Sequence, residues 1–256
     1  MGRIRFIQAL NALLMNGHTE SSKPELQNTK QGARLVQNGS VLSEVLSEPG
    51  PTQSVFDILA AAIMLNNKNR VGILGFAAGG LIGPLRSMNG HQHLFGVDRD
   101  EAGFKLFQRV SGDWRGKINF VHSDAVEWLN AQKKPFDVLV EDLSVGRDGD
   151  VFKPTVSIEI LPELIRSKLT PSGIAIFNLL PSDHCSWTNM IQKVSAPFRH
   201  GIVIKFESFY NKILILSVKP LTSTPKISRL LRKFLSGIES SISHDIQVRT
   251  LVINKS

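Results

Sequence analysis

Three aspartates, each closing a short apolar run, are the residues of this chain best placed to do chemistry. Asp98 follows Leu94-Phe95-Gly96-Val97, Asp124 follows Ile118 to Ser123, and Asp142 follows the run from Phe136 to Glu141. Upstream of all three, Val71-Gly72-Ile73-Leu74 leads into the small-residue segment Gly75-Phe76-Ala77-Ala78-Gly79-Gly80. Small residues between a strand and a helix let the backbone come close to a ligand, and the N–H groups that open the helix can face its polar atoms. An acid about 20 residues beyond such a loop stands where nucleotide-binding sheets place a carboxylate on ribose hydroxyls. Each feature also has a structural reading. Glycines allow close packing, and Asp98 could cap a helix over Ala102 to Val110 instead of meeting a ligand. Taken together they are more specific, because carboxylates after successive parallel strands converge on one edge of the sheet.

That convergence requires a parallel sheet, and the pattern of the chain supplies one. Apolar runs at Val71–Leu74, His93–Val97, Ile118–His122, Phe136–Val140 and Ile174–Asn178 alternate with amphipathic segments, which predicts parallel strands with helices on both faces. Ile202–Phe206 and Lys212–Val218 lie close together and predict an antiparallel hairpin at the sheet edge. Ahead of the sheet, Asn38-Gly39 between apolar residues predicts a hairpin over Ala33 to Val45, and Thr52 or Ser54 can cap a helix running from Phe56 to Leu65. Asn16 to Gly32 is polar and turn-rich and reads as a mobile linker behind a short N-terminal helix.

These segments resemble the class I S-adenosylmethionine-dependent methyltransferases, and within them the spermidine synthase-like branch; the resemblance covers about Val41 to Val218. It implies an α/β, Rossmann-like fold with a mostly parallel seven-stranded sheet and a terminal antiparallel hairpin. The organisation it suggests is an N-terminal helix and linker over 1–32, a hairpin and helix extension over 33–69, a cofactor-binding domain over 70–220 and a basic tail over 221–256. It implies that Gly75, Phe76, Ala77 and Gly79 face the methionine part of S-adenosylmethionine, that Asp98 holds the ribose, that Asp124 and Ala125 lie at the adenine, and that Asp142 faces the reacting centre. Two departures stand out. Spermidine synthases read Gly-Gly-Gly-Asp-Gly-Gly where this chain has Ala78 in place of the acid, and Val145 replaces the second of two aspartates that follow strand four. Both remove acids that hold a cationic amine. A methyltransferase of unknown acceptor is therefore the first reading. Aminopropyl transfer from decarboxylated S-adenosylmethionine, with Asp148 and Asp150 as substitute anchors, is the second. A non-catalytic cofactor-binding or interaction module is a third, and nicotinamide dinucleotide binding fits the loop and Asp98 but fits Asp124 less well.

Composition sets outer bounds. The 256 residues are 42% hydrophobic, enough for one large core. The net charge of +8 leaves nucleic acid open as a partner without a motif that supports it. The basic residues Lys226, Arg229, Arg232 and Lys233 alternate with Ile227, Leu230, Leu231 and Phe234, as in a helix that packs its apolar side and solvates its charges. The single cysteine, Cys185, excludes an internal disulfide and a Cys-rich zinc site, and with His184 adjacent in sequence it makes no catalytic pair. No apolar run reaches the ~18 residues that span a bilayer. Arg3 and Arg5 before Ile7–Leu14 lack a cleavage pattern, and Phe6 stands where myristoylation needs Ser or Thr. A cytoplasmic protein is expected, with the cofactor and an unknown acceptor as partners and a homodimer left open.

Overall fold

The computed structural model describes residues 25–253 apart from positions 38, 67, 148 and 149. The expected N-terminal helix, most of the linker, the Asn38 half of the turn and Asp148 lie outside the described residues.

A three-stranded antiparallel sheet comes first: β1 (Glu25–Thr29), β2 (Gly32–Gln37) and β3 (Ser40–Leu46). The hairpin expected over Ala33–Val45 is the β2–β3 pair, with Val36 opposite Val41 and Gly39 at φ +80° in the turn. The end of the expected linker is strand instead: β1 pairs with β2 from Glu25↔Val36 to Thr29↔Gly32. Its residues are all exposed, so no apolar alternation marks the strand, and backbone pairing alone holds it.

Helix α1 (Val55–Ile63) starts at Ser54, whose hydroxyl accepts the Phe56 N–H. The chain then alternates through β4 (Arg70–Leu74), α2 (Ile82–Ser87), β5 (His93–Asp98), α3 (Ala102–Val110), β6 (Ile118–His122), α4 (Ala125–Ala131) and β7 (Phe136–Glu141). A small hairpin of β8 (Val145–Arg147) and β9 (Asp150–Phe152) leads into α5 (Thr155–Glu159), α6 (Leu161–Ser167) and β10 (Leu169–Leu179). The chain closes with α7 (Trp187–Ser195), β11 (His200–Lys205), β12 (Lys212–Ser217), α8 (Thr224–Gly237), α9 (Ile242–Asp245) and β13 (Gln247–Leu251).

The main sheet has eight strands in the order β13-β11-β12-β10-β7-β4-β5-β6. From β10 to β6 the neighbours are parallel; β12, β11 and β13 join antiparallel. Seven strands were expected, with Val248 to Ile253 as a possible further one in the tail. The eighth comes from the C-terminal tail, where β13 pairs with β11 from Gly201↔Leu251 to Lys205↔Gln247 and displaces the β11–β12 hairpin from the edge.

Strict alternation builds a core on each face. Val71, Ile73, Val138, Val140, Ile174 and Ile176 face α1, α2 and α8, while Leu74, Leu139, Ala175 and Phe177 face the cluster that holds α4, α6 and α7 residues. The tail helix belongs to the first core: Ile227, Leu231 and Leu235 are buried and Lys226, Arg229 and Lys233 are exposed. Arg232 instead turns back onto the carbonyls of Ser243 and Ile246. Asp57, buried in α1, accepts hydrogen bonds from the Thr52 and Gln53 N–H groups and from the Ser240 hydroxyl, tying the helix start to the tail.

Candidate functional site

The chain leaves β4 toward β5 and β6 on one side, then returns to β7 and β10 on the other, so the strand order reverses between β4 and β7. In open α/β sheets, a crevice opens at the carboxyl ends of strands flanking such a reversal. Here it is a cleft of about 780 Å³, bordered by residues after β4, β5, β6, β7 and β10, by β2 and β3, and by the β8–β9 hairpin.

The loop after β4 is held in an unusual shape. Gly75, Ala77 and Gly79 have φ of +84°, +43° and +69°. A side chain at Gly75 would stand 2.7 Å from the Asp142 carbonyl, so only glycine lets the β4 and β7 ends meet here. Ala77 bears a left-handed conformation that costs an L-residue roughly 1–2 kcal/mol, and its N–H donates to Asp98 Oδ2 at 2.8 Å. Four other amides of the loop are also committed. Gly75 and Phe76 donate to the Val97 carbonyl, Gly79 to the Phe76 carbonyl at 2.8 Å, and Gly80 to the Ser43 hydroxyl at 3.1 Å. Helix α2 starts only at Ile82. Contrary to the sequence expectation, the segment does not present a row of free N–H groups.

Phe76 borders the cleft, but its ring is 2% exposed and stands edge-on to Phe104, Phe107 and Phe120. It supports the loop from beneath. Ala78 is fully buried in the same core and does not border the cleft.

Asp98, at the end of β5, does not cap α3; that start is served by Asp100, which accepts the Ala102 N–H at 2.8 Å. Instead Asp98 faces the β4 loop, taking the Ala77 N–H on one oxygen and the Asp100 N–H on the other at 3.0 Å. Burial raises its pKa, against the lowering effect of those two bonds. Asp124 does cap a helix: its Oδ1 accepts the Val126 and Glu127 N–H groups at 2.8 and 3.1 Å. Its Oδ2 takes the Arg99 guanidinium, Nε at 2.9 Å. Asp124, Ala125 and Arg99 all border the cleft at the same end.

Asp142, immediately after β7, is part of a relay. The Asn178 side-chain amide donates to Asp142 Oδ1 at 2.7 Å, and Asn178 Oδ1 accepts from the Asn211 amide at 2.8 Å. Burial pushes the Asp142 carboxyl up to about 6; the Asn178 bond and the Lys153 charge lower it, while Glu141 and Asp98 raise it further. Under it lies a buried ion pair, Lys153 Nζ to Glu141 Oε2 at 2.7 Å, with both side chains fully shielded. Ser157 donates to Glu141 at 2.6 Å, and Lys153 also donates to the Leu143 carbonyl at 2.9 Å. These bonds tie Leu143 and Lys153, which flank the β8–β9 hairpin, to the end of β7 beside the cleft.

Asn178, Asn211, Lys153 and Arg99 were missed in the sequence. Asn178 had one legible signal, a polar residue at the carboxyl end of an apolar strand beside β7; the others depend on long-range contacts. Asp150 is exposed, accepts its neighbour's N–H, and does not border the cleft. Val145, 49% exposed, does border it.

Comparison with solved structures places this geometry. A probable spermidine synthase from Corynebacterium glutamicum superposes with a TM-score of 0.69 at 18% identity, over 91% of this chain and 90% of that one. The fold is that of spermidine synthase-like class I methyltransferases. Human methyltransferase-like protein 13 in complex with SAH gives a TM-score of 0.55 at 20% identity, over 71% of this chain and 89% of the other. A spermidine synthase in complex with the transition-state analogue AdoDATO gives 0.58 at 16% identity, over 78% and 73%. No protein-family model matches the sequence, and no curated protein does.

Proposed function

We propose that this protein is an S-adenosylmethionine-dependent methyltransferase whose acceptor binds between Asp142 and the β8–β9 hairpin. The observation that carries the reading is the strained Ala77 peptide bonded to Asp98 at the strand-order reversal. It holds a half-buried carboxylate and a close-approach loop together where a nucleoside can dock. In this reading Asp98 accepts the ribose hydroxyls. Asp124 and Ala125 border the adenine, with Asp124 also serving as a helix cap, and Gly75, Phe76, Ala77 and Gly79 form the floor beneath the methionine part. The residues fit such a ligand: two half-buried acids and a wall without cation clusters suit a neutral nucleoside. The committed amides of the loop leave a pyrophosphate poorly served, which disfavours a dinucleotide.

When bound, S-adenosylmethionine supplies an activated methyl group, and transfer depends mainly on positioning and exclusion of water. Asp142 is suited to take the proton released by the acceptor: a carboxyl raised to about 6 is ionised at neutral pH yet more basic than an ordinary aspartate. Asn178 orients it. Aminopropyl transfer has less support, because Ala78 is buried away from the cleft and Val145 occupies the wall where the second acid would stand.

Isothermal titration with S-adenosylmethionine tests the cofactor assignment. Micromolar binding that Asp98→Ala weakens by about tenfold or more, as expected for loss of a charged hydrogen-bond partner, supports it; unchanged affinity in folded Asp98→Ala contradicts it.

A further inference from the structure

The reacting end of the cleft differs in character from the cofactor end. Around Asp142 its wall is made by Leu143, Val145, Val151, Val156, Leu180 and Phe209. The polar groups there are the Ser144 hydroxyl and the Asn178 and Asn211 amides, the amides bonded to each other and Asn178 to Asp142. The other charged residues that border the cleft come from other strands, with Asp98 near enough for its charge to act on Asp142. Asp98, Arg99, Asp100 and Asp124 are at the ends of β5 and β6, and Glu44 on β3 is held by Arg34 at 3.2 Å. Lys153 and Glu141, close by in sequence, neutralise each other out of contact with solvent. Among the described residues, Asp142 therefore stands in a largely aliphatic and aromatic wall, with the Ser144 hydroxyl as a further polar group.

We infer that the acceptor is an apolar molecule, uncharged at neutral pH, that presents a single hydroxyl to Asp142. The inference rests on the methyltransferase reading and narrows it. A hydrocarbon body matches a wall of valines, leucines and a phenylalanine, since apolar surface gains by leaving water together. One O–H satisfies the free carboxylate oxygen, and the Asn178 bond to the other oxygen aims it. A diamine fits less well: its first ammonium can meet Asp142, but its second would lose water against Val145, Val151 or Phe209, and Asp98, the cleft acid whose charge acts on Asp142, is taken by the ribose in this reading. Val145 is the specificity-determining position, being half exposed on the hairpin and three residues from the carboxylate.

The test uses the full chain and separates the two layers of the account. S-adenosylmethionine is titrated first by itself. Then 1-naphthol, 3-phenylpropanol and putrescine are each titrated into protein saturated with S-adenosylhomocysteine, for the native chain, Val145→Asp and Val145→Leu. The expected result is measurable binding of at least one hydroxyl probe and none of putrescine. Val145→Asp should weaken the hydroxyl probe at least tenfold while leaving S-adenosylmethionine affinity within twofold, and Val145→Leu should retain it. Putrescine binding to the native chain, or hydroxyl-probe binding unaffected by Val145→Asp, overturns the inference. So does failure of both hydroxyl probes. If the cofactor fails to bind but a hydroxyl probe binds in a Val145-dependent way, the methyltransferase reading falls and the apolar acceptor pocket stands. Because Val145 is half exposed on a surface hairpin, both variants should fold, and a native-like melting temperature confirms it.

Discussion

Asp142 carries opposite requirements for stability and for chemistry. Burial raises its carboxyl to about 6, above the ordinary value near 3.9. Between those two values the folded state binds more protons than the unfolded one, so stability falls as pH rises from about 4 to 6 and is level above that. The ionised form that costs stability is the form able to accept a proton. The rate should therefore rise through pH ~6 and reach a plateau, with the inflection read from kcat/KM against pH. Asp142→Asn can keep the Asn178 bond by turning its carbonyl oxygen toward that amide. It should lower kcat by about 10²–10⁴ while the melting temperature at pH 8 is maintained or raised. Asn178→Ala should shift the inflection of the pH profile upward, since the bond it loses favours the ionised form. A purely structural role would leave that inflection in place. The carboxylates at strand ends were readable from sequence because each closes an apolar run. Asn178 left only the signal of a polar residue ending an apolar strand and Asn211 left none, since only the pairing of β10 with β7 and β12 brings these two together.

At the scale of elements, the β4 loop and the β8–β9 hairpin set what the cleft accepts. Ala78 is fully buried, so restoring an acid there does not restore an amine anchor. Ala78→Asp should instead destabilise the fold by several kcal/mol, as an unpaired charge buried in a core does. The melting temperature should fall sharply, with no aminopropyl transfer in return. The hairpin depends on the Lys153–Glu141 pair. Lys153→Met leaves Glu141 as an uncompensated buried charge and should cost about 3–5 kcal/mol, whereas replacing both residues with apolar ones should recover much of the loss in a denaturant titration. The loop was legible as a ligand-approach segment from its small residues. Its committed amides were not, because they depend on partners in β5 and β3 that spacing along the chain does not reveal. Strand β1 was illegible for a simpler reason: every one of its residues is exposed, so it carries no burial pattern.

Across the whole molecule, the mostly parallel sheet and its two-faced core follow from alternating apolar runs, and those were legible before any coordinates, whereas the order of the strands was not. The tail was legible in part, as a helix that packs its apolar side and a possible strand at Val248 to Ile253, but not where either docks. Spacing along the chain does not reveal the groove beside α1 in which the stripe of Ile227, Leu231 and Leu235 is buried. Leu231→Ala should cost about 2–5 kcal/mol and lower the melting temperature by roughly 5–20 °C for a chain of this size. Lys226→Ala or Arg229→Ala should change it little. Among the described residues no helix is long and apolar enough to cross a membrane, and no group of acids, histidines or cysteines is arranged to hold a metal.

The most direct test of the central claim is calorimetric titration of the full chain, at one salt concentration, with S-adenosylmethionine, its decarboxylated form and NAD. The account predicts that the intact methionine cofactor binds most tightly and that Asp98→Ala weakens it by about tenfold or more. Preference for the decarboxylated form, or binding of none of the three, would contradict it.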